Sequence, residues 1–128
     1  VTGATAAALV SFPAVAATPR AAVPVDLIVV VKRRRLLQLL HRDRVMRTYR
    51  VALGKNPVGH KRERGDGRTP EGLYTVGYKK SESQFNLAFF RLKVAREDWT
   101  DGCIALTNLA MDEIYRSVRE GTPVLIRP

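Results

Sequence analysis

Asp98-Trp99-Thr100-Asp101-Gly102-Cys103-Ile104-Ala105-Leu106-Thr107-Asn108 holds the only cysteine of the 128 residues. Gly102 can take backbone angles closed to other residues, so a tight turn can present the Cys103 thiol. Ile104 to Leu106 is apolar, and Thr107 or Asn108 can cap a helix that follows. A lone cysteine on such a turn is a candidate nucleophile, because a thiolate is intrinsically reactive once formed. The competing assignment is a small buried hydrophobe, the commonest fate of a free cysteine. The local sequence leaves both open.

Outward from this turn, composition narrows the choices. The length suits one domain with a modest core. A formal net charge of +10 and 45% hydrophobic residues describe a basic globular chain. Such a chain favours polyanions such as nucleic acid, anionic lipid or an anionic wall polymer. One cysteine excludes an internal disulfide, and with only His41 and His60 as histidines no metal site is expected.

Residues 1–24 differ from the rest. Val1 to Val23 is rich in Ala, Val, Thr and Pro, and Arg20 is its one charge. Its small residues before Arg20 resemble the end of a secretory signal peptide; a flexible Ala/Pro linker is the alternative. The apolar run Ala6 to Val15 is broken by Pro13 and too short for a stable membrane span.

A folded domain over 25–128 follows. Leu27 to Val31 is β-branched and apolar, a buried strand. Lys32-Arg33-Arg34-Arg35 reads as a solvated turn, with a nucleic-acid patch as the alternative. Arg35 to Leu40 and Val45 to Leu53 flank a hairpin connection at His41-Arg42-Asp43-Arg44, with Tyr49, Val51 and Leu53 on one face. His41 receives no role. Gly54 to Arg68 is a long polar loop, of a kind that is usually functional or disordered. Thr69-Pro70-Glu71-Gly72 is a turn feeding a strand, able to line a groove. Gln84 to Leu92 reads as another strand, with Phe85, Leu87 and Phe89 on one side. Met111, Ile114, Tyr115 and Val118 mark the apolar face of a helix, with Asp112 and Glu113 in its first turn and Gly121 as its stop. Thr122 to Ile126 is the last strand. Short strands parted by polar turns predict a mostly β sandwich or barrel with one short helix after the cysteine turn.

The stretch Thr100-Asp101-Gly102-Cys103-Ile104-Ala105 resembles the nucleophile motif of the L,D-transpeptidase catalytic domain, the YkuD-like family. Asp66-Gly67-Arg68-Thr69-Pro70-Glu71-Gly72 resembles the family's Thr-Pro-x-Gly piece, and Gly121-Thr122-Pro123-Val124 its ending. The resemblance runs from about Val25 to the C-terminus and implies the same mostly β fold. It implies an exported enzyme of the periplasm or cell envelope that acts on peptidoglycan stem peptides through a thioacyl intermediate, without a cofactor. Cys103 is then the nucleophile, and Gly102 with the Cys103 N–H forms the oxyanion turn. Asp101 orients another group, and Arg68 and Lys61 hold substrate carboxylates.

The sequence departs from the family in one respect. Members carry a further few tens of residues before the cysteine turn, including a histidine that serves as general base. Here Phe89 to Val94 runs almost straight into Trp99, and no histidine follows His60. His60 is the one substitute base, on a loop able to fold over the groove. A degenerate, non-catalytic peptidoglycan-binding domain is therefore the alternative function, and a basic nucleic-acid binder a weaker one. Aromatics are not interleaved with the basic clusters, so nucleic acid is not an expected partner. A monomer is expected.

Overall fold

Leu27–Val31 forms the central strand β1, with Ile28 and Val30 buried and their neighbours half-buried. This is the alternation that a pleated strand imposes. A computed structural model of the chain describes residues 18–77, 98 and 100–128. The expected strand Gln84 to Leu92, the chain path between Phe89 and Val94, and the Ala-rich residues 1–17 lie outside them.

Strand β2 (Leu36–His41) pairs antiparallel with β1, and β3 (Arg44–Arg50) pairs antiparallel with β2. Arg42 and Asp43 both take positive φ, 48° and 64°. That is the two-residue hairpin turn whose twist suits antiparallel strands. The expected four-residue connection is therefore shorter, since His41 and Arg44 already pair. Strand β4 (Gly72–Thr75) lies antiparallel to β5 (Pro123–Arg127), and β5 lies parallel to β1. The sheet order is β3-β2-β1-β5-β4. The first and last strands thus meet at its centre. The crossover from β4 to β5 carries the cysteine turn and helix α1 (Asn108–Ser117).

Among the described residues the architecture is mostly β with one short α-helix, as the pattern of short strands predicts. Register explains the core. Ile28 faces Leu39, Val30 faces Leu37 and Ile126, and Leu37 faces Tyr49, and all of them are buried. Val51, Leu53, Leu106, Ala110 and Val118 complete this cluster.

Three expectations change. The helix begins at Asn108, capped by Thr107, whose side chain accepts from the Ala110 N–H. Asp112 and Glu113 therefore fall beyond its first turn. The helix also ends earlier than expected, at Ser117. Gly121, at φ 86°, makes the separate turn into β5. The buried face differs in part: Ile114 packs against the core and Val118 is buried as expected, but Ala110 and Glu113 are also inside, while Met111 and Tyr115 are 40% and 38% exposed. Periodicity missed this because a carboxylate occupies a core position.

That carboxylate is satisfied on all sides. Glu113 accepts from the Arg20 backbone N–H at 2.9 Å and from the Arg20 guanidinium at 3.0 and 2.9 Å. The Tyr49 hydroxyl adds a bond at 2.7 Å. A buried carboxylate needs such partners, because stripping its water without them costs far more than the packing returns. The same contacts dock residues 18–24 on the domain. Val23 N–H donates to Ser117 Oγ, and Arg47 donates to the Ala21 carbonyl.

Hydrogen bonds from Arg20, opposed by desolvation, hold the Glu113 carboxyl at about 2, below its ordinary 4.5. A depressed carboxyl stabilises the fold above its unfolded value and ceases to as it protonates. Stability should therefore fall as pH drops from 4.5 towards about 2. Glu113→Gln, followed by urea denaturation across that range, should be less stable near neutrality and show a flatter pH dependence.

Candidate active site

The cysteine turn is an arch set on two footings. Ala52 and Ala105 exchange both backbone hydrogen bonds at 2.9 Å. On the other side, Thr100 N–H donates to the Leu53 carbonyl and Lys55 N–H to the Thr100 carbonyl. Residues 101–104 are held between these stitches at the end of the sheet where β3 runs out. Cys103 is exposed. The buried-hydrophobe assignment is thereby excluded.

Inside the arch, Thr100 organises the turn. Its hydroxyl donates to the Cys103 carbonyl at 2.6 Å and accepts from the Gly102 N–H at 3.1 Å. The Gly102 N–H is therefore occupied, whereas the Cys103 N–H has no partner among the described residues. Asp98 ties down the approach. It accepts from the Leu53 N–H at 3.0 Å and from the Arg35 guanidinium, at 2.6 Å from its nearer terminal nitrogen. Forked arginine–carboxylate pairs of this kind fix geometry as well as adding energy. Neither Asp98 nor Thr100 was singled out from sequence. Thr100, two residues before a glycine, was the readable one, as a threonine able to bond its own turn.

The polar loop 54–71 forms the opposite wall. Asp66 folds it by accepting from the N–H groups of Arg62, Glu63 and Arg68 and from the Lys61 ammonium at 2.8 Å. These bonds, that from Lys61 foremost, hold the Asp66 carboxyl well below the usual carboxylate range. Lys61 Nζ also reaches the Asp101 carbonyl at 3.5 Å, which brings a positive charge to the residue pair before Cys103. The Arg68 guanidinium rests against Gly59 and has no charged partner among the described residues. The Asp101 carboxylate is exposed, and its one ionic partner among the described residues is Lys55, at 3.1 Å. His60 Nδ1 accepts from the Glu71 N–H at 2.8 Å. No described side chain hydrogen-bonds Cys103 Sγ. His41 stands away from this wall, 3.7 Å from Asp26 at the hairpin.

Lys32 corrects the sequence reading. Rather than a solvated turn residue, it is 2% exposed. It sits in a 3-10 turn (Lys32–Arg34) and donates to the carbonyls of Gly59 and Thr69 and to Glu71. Arg33 and Arg34 are the solvated members of that run.

Arch and wall meet backbone to backbone. A Cβ on Gly54 would lie 2.0 Å from the Gly67 carbonyl oxygen and 3.1 Å from Gly102 Cα. A Cβ on Gly102 would lie 2.6 Å from the Arg68 carbonyl oxygen, and φ there is 136°. Both positions need glycine for room, and Gly102 also for its backbone angle.

Among the described residues no group of histidine, cysteine and carboxylate side chains is placed to hold a metal ion. No helix there is long and apolar enough to cross a membrane.

The mixed sheet thus carries an exposed cysteine on a braced turn beside a cationic loop. The family model of the L,D-transpeptidase catalytic domain, YkuD, matches residues 25–126, and the chain belongs to that family. Similar solved structures include an L,D-transpeptidase from Xylanimonas cellulosilytica (17% identity, TM-score 0.60, 85% of this chain and 63% of that one). Another comes from Mycobacterium smegmatis (15%, 0.62, 80% and 58%). A third is L,D-transpeptidase 3 of Mycobacterium tuberculosis with a faropenem-derived adduct (14%, 0.58, 82% and 61%). The chain thus spans about six tenths of the length of these proteins. No curated protein matches it.

Gly54→Ala should push the wall off the arch. We expect a loss of about 2 kcal/mol or more, the upper part of the overpacking range because the clash is with backbone. Urea denaturation measures the loss, and the Cys103 alkylation rate should change with it.

Proposed function

We propose that the chain is the core of an exported, cysteine-dependent L,D-transpeptidase acting on peptidoglycan stem peptides. The observation that carries this is the exposed Cys103 on a braced glycine turn, in a chain of this family. The small-residue run before Arg20 supports export to the periplasm or cell envelope.

In this reading the Cys103 thiolate attacks the donor's carbonyl carbon next to a D-configured residue. The carbonyl π electrons move to oxygen, and the free Cys103 N–H donates to that oxyanion, as turn amides do in acyl transfer. Collapse breaks the C–N bond, and the departing amine takes up a proton. An acceptor amine, typically that of a diaminopimelate side chain, then attacks the thioester. It loses a proton and expels the thiolate. Lys61 and Arg68 line the wall where a substrate carboxylate would sit.

Proton transfer is the weak step. Thiol catalysis needs a partner that takes the proton, within hydrogen-bond reach of sulfur. Among the described residues none is there, and His60 has one ring nitrogen engaged with Glu71. The 128-residue chain should therefore acylate slowly, by a factor of about 10² to 10⁴ if general-base help is absent.

A carbapenem-type β-lactam with intact-mass readout tests this. We expect one slow adduct per chain, absent from Cys103→Ser. Rapid acylation indifferent to His60→Ala would refute the missing base, and loss on His60→Ala would assign His60 that role. A folded chain with no adduct would favour the non-catalytic wall-binding domain, which retention on purified peptidoglycan then checks.

A further inference from the structure

We propose that Lys32 is a positioning residue for the thiol site: it closes the polar loop at its neck and so sets Lys61 over the cysteine turn.

The Lys32 ammonium has three N–H donors and meets three acceptors. They are the Thr69 carbonyl at 2.7 Å, the Gly59 carbonyl at 2.9 Å and Glu71 Oε2 at 3.2 Å. Two of these belong to opposite limbs of the loop 54–71, and the third lies just past Thr69. One buried cation therefore draws both limbs onto the end of β1. Each limb then reaches the thiol side. Two residues beyond Gly59, Lys61 touches the Asp101 carbonyl, and its Nζ lies 3.3 Å from where a Cβ on Gly102 would stand. On the other limb, Thr69 Oγ1 accepts from the Gly54 N–H at 2.9 Å, and the Arg68 carbonyl abuts Gly102. Glu71 completes the frame by donating its N–H to His60.

The geometry asks for an ammonium. Three acceptors converge on one point, which suits a compact charge with rotatable donors. The planar fork of arginine does not match it. Methionine fills a similar volume but leaves the buried Thr69 carbonyl and the part-buried Gly59 carbonyl without this donor, a costly state. In both cases the loop should relax outward and take Lys61 with it. Lys32 itself touches no reacting atom; it acts through Lys61.

The readout is the charge that an incoming reagent meets at Cys103. Iodoacetate and iodoacetamide alkylate a thiol by the same displacement and differ by one negative charge. Their rate ratio, normalised to free cysteine and measured at low salt, reports the local field. The proposal's relevance to catalysis rests on the transpeptidase reading, but this ratio is read whether or not a β-lactam ever acylates the chain. The two can therefore fail separately.

The wild-type ratio should exceed that of free cysteine, by less than the roughly fivefold that one unpaired unit charge about 4 Å away gives in water, because Asp66 offsets part of the Lys61 charge. Lys61→Gln should remove that excess. Lys32→Met should lower it by a similar factor while iodoacetamide alone reacts at close to the wild-type rate. The double variant should fall no further than either single one. Lys32→Arg keeps the charge and the donors, so it guards against a Lys32→Met chain that does not fold, and it should also lose most of the excess. A folded Lys32→Met or Lys32→Arg chain that keeps the wild-type ratio overturns the proposal. So does a double variant whose loss is the product of the two single losses.

Discussion

The structure depends on one close approach: Gly54 against Gly67 and Gly102, with no room for a side chain between them. At this contact the strand end, the polar loop and the cysteine turn share one volume. Backbone packed on backbone leaves little slack. The thiol is exposed, yet its position follows from atoms that cannot move independently. An exposed group held by buried neighbours is what a nucleophile requires, since misplacement by an ångström is costly to a reaction that depends on orientation.

Charged pairs bolt the remaining parts together. Lys32 holds the loop, Arg35 with Asp98 holds the approach to the turn, and Arg20 with Glu113 holds the N-terminal segment to the helix. Each joins residues far apart in sequence; Lys32 and Glu113 are buried, and Arg35 and Asp98 are half-buried. Ion pairs in such places are poor sources of net stability but strict about geometry. In a chain of net charge +10, such acidic residues are scarce. Several of them serve as internal anchors: Glu113 and Asp98 between elements, Asp66 within the loop.

These anchors leave the site with a cationic wall and an exposed sulfur, but with no described imidazole bonded to that sulfur. Among the described residues positioning and charge are in place, and a proton-transfer partner at the sulfur is not. The two functions are physically separable. Positioning comes from backbone contacts and ion pairs inside the domain, while a base has only to arrive within reach of the sulfur.

The sequence by itself determined what depends on local pattern. The apolar, β-branched run Leu27 to Val31 and the alternation around Tyr49 marked the buried strands, and Thr107 or Asn108 was marked as a helix cap. The Asp-Gly-Cys turn marked a candidate nucleophile, because glycine's angles and cysteine's chemistry are properties of single residues, and the structure showed that the thiol is exposed. The tertiary structure alone decided what depends on pairing across the chain. Lys32 read as solvated because its three acceptors lie beyond residue 58. Glu113 read as surface because its partners, Arg20 and Tyr49, are distant. Met111 and Tyr115 were misplaced on the helix's buried face for the same reason, since a carboxylate can replace a hydrophobe only where the fold brings cations to meet it. Gly54 read as an ordinary loop glycine, because crowding at a position is set by whatever the fold packs against it.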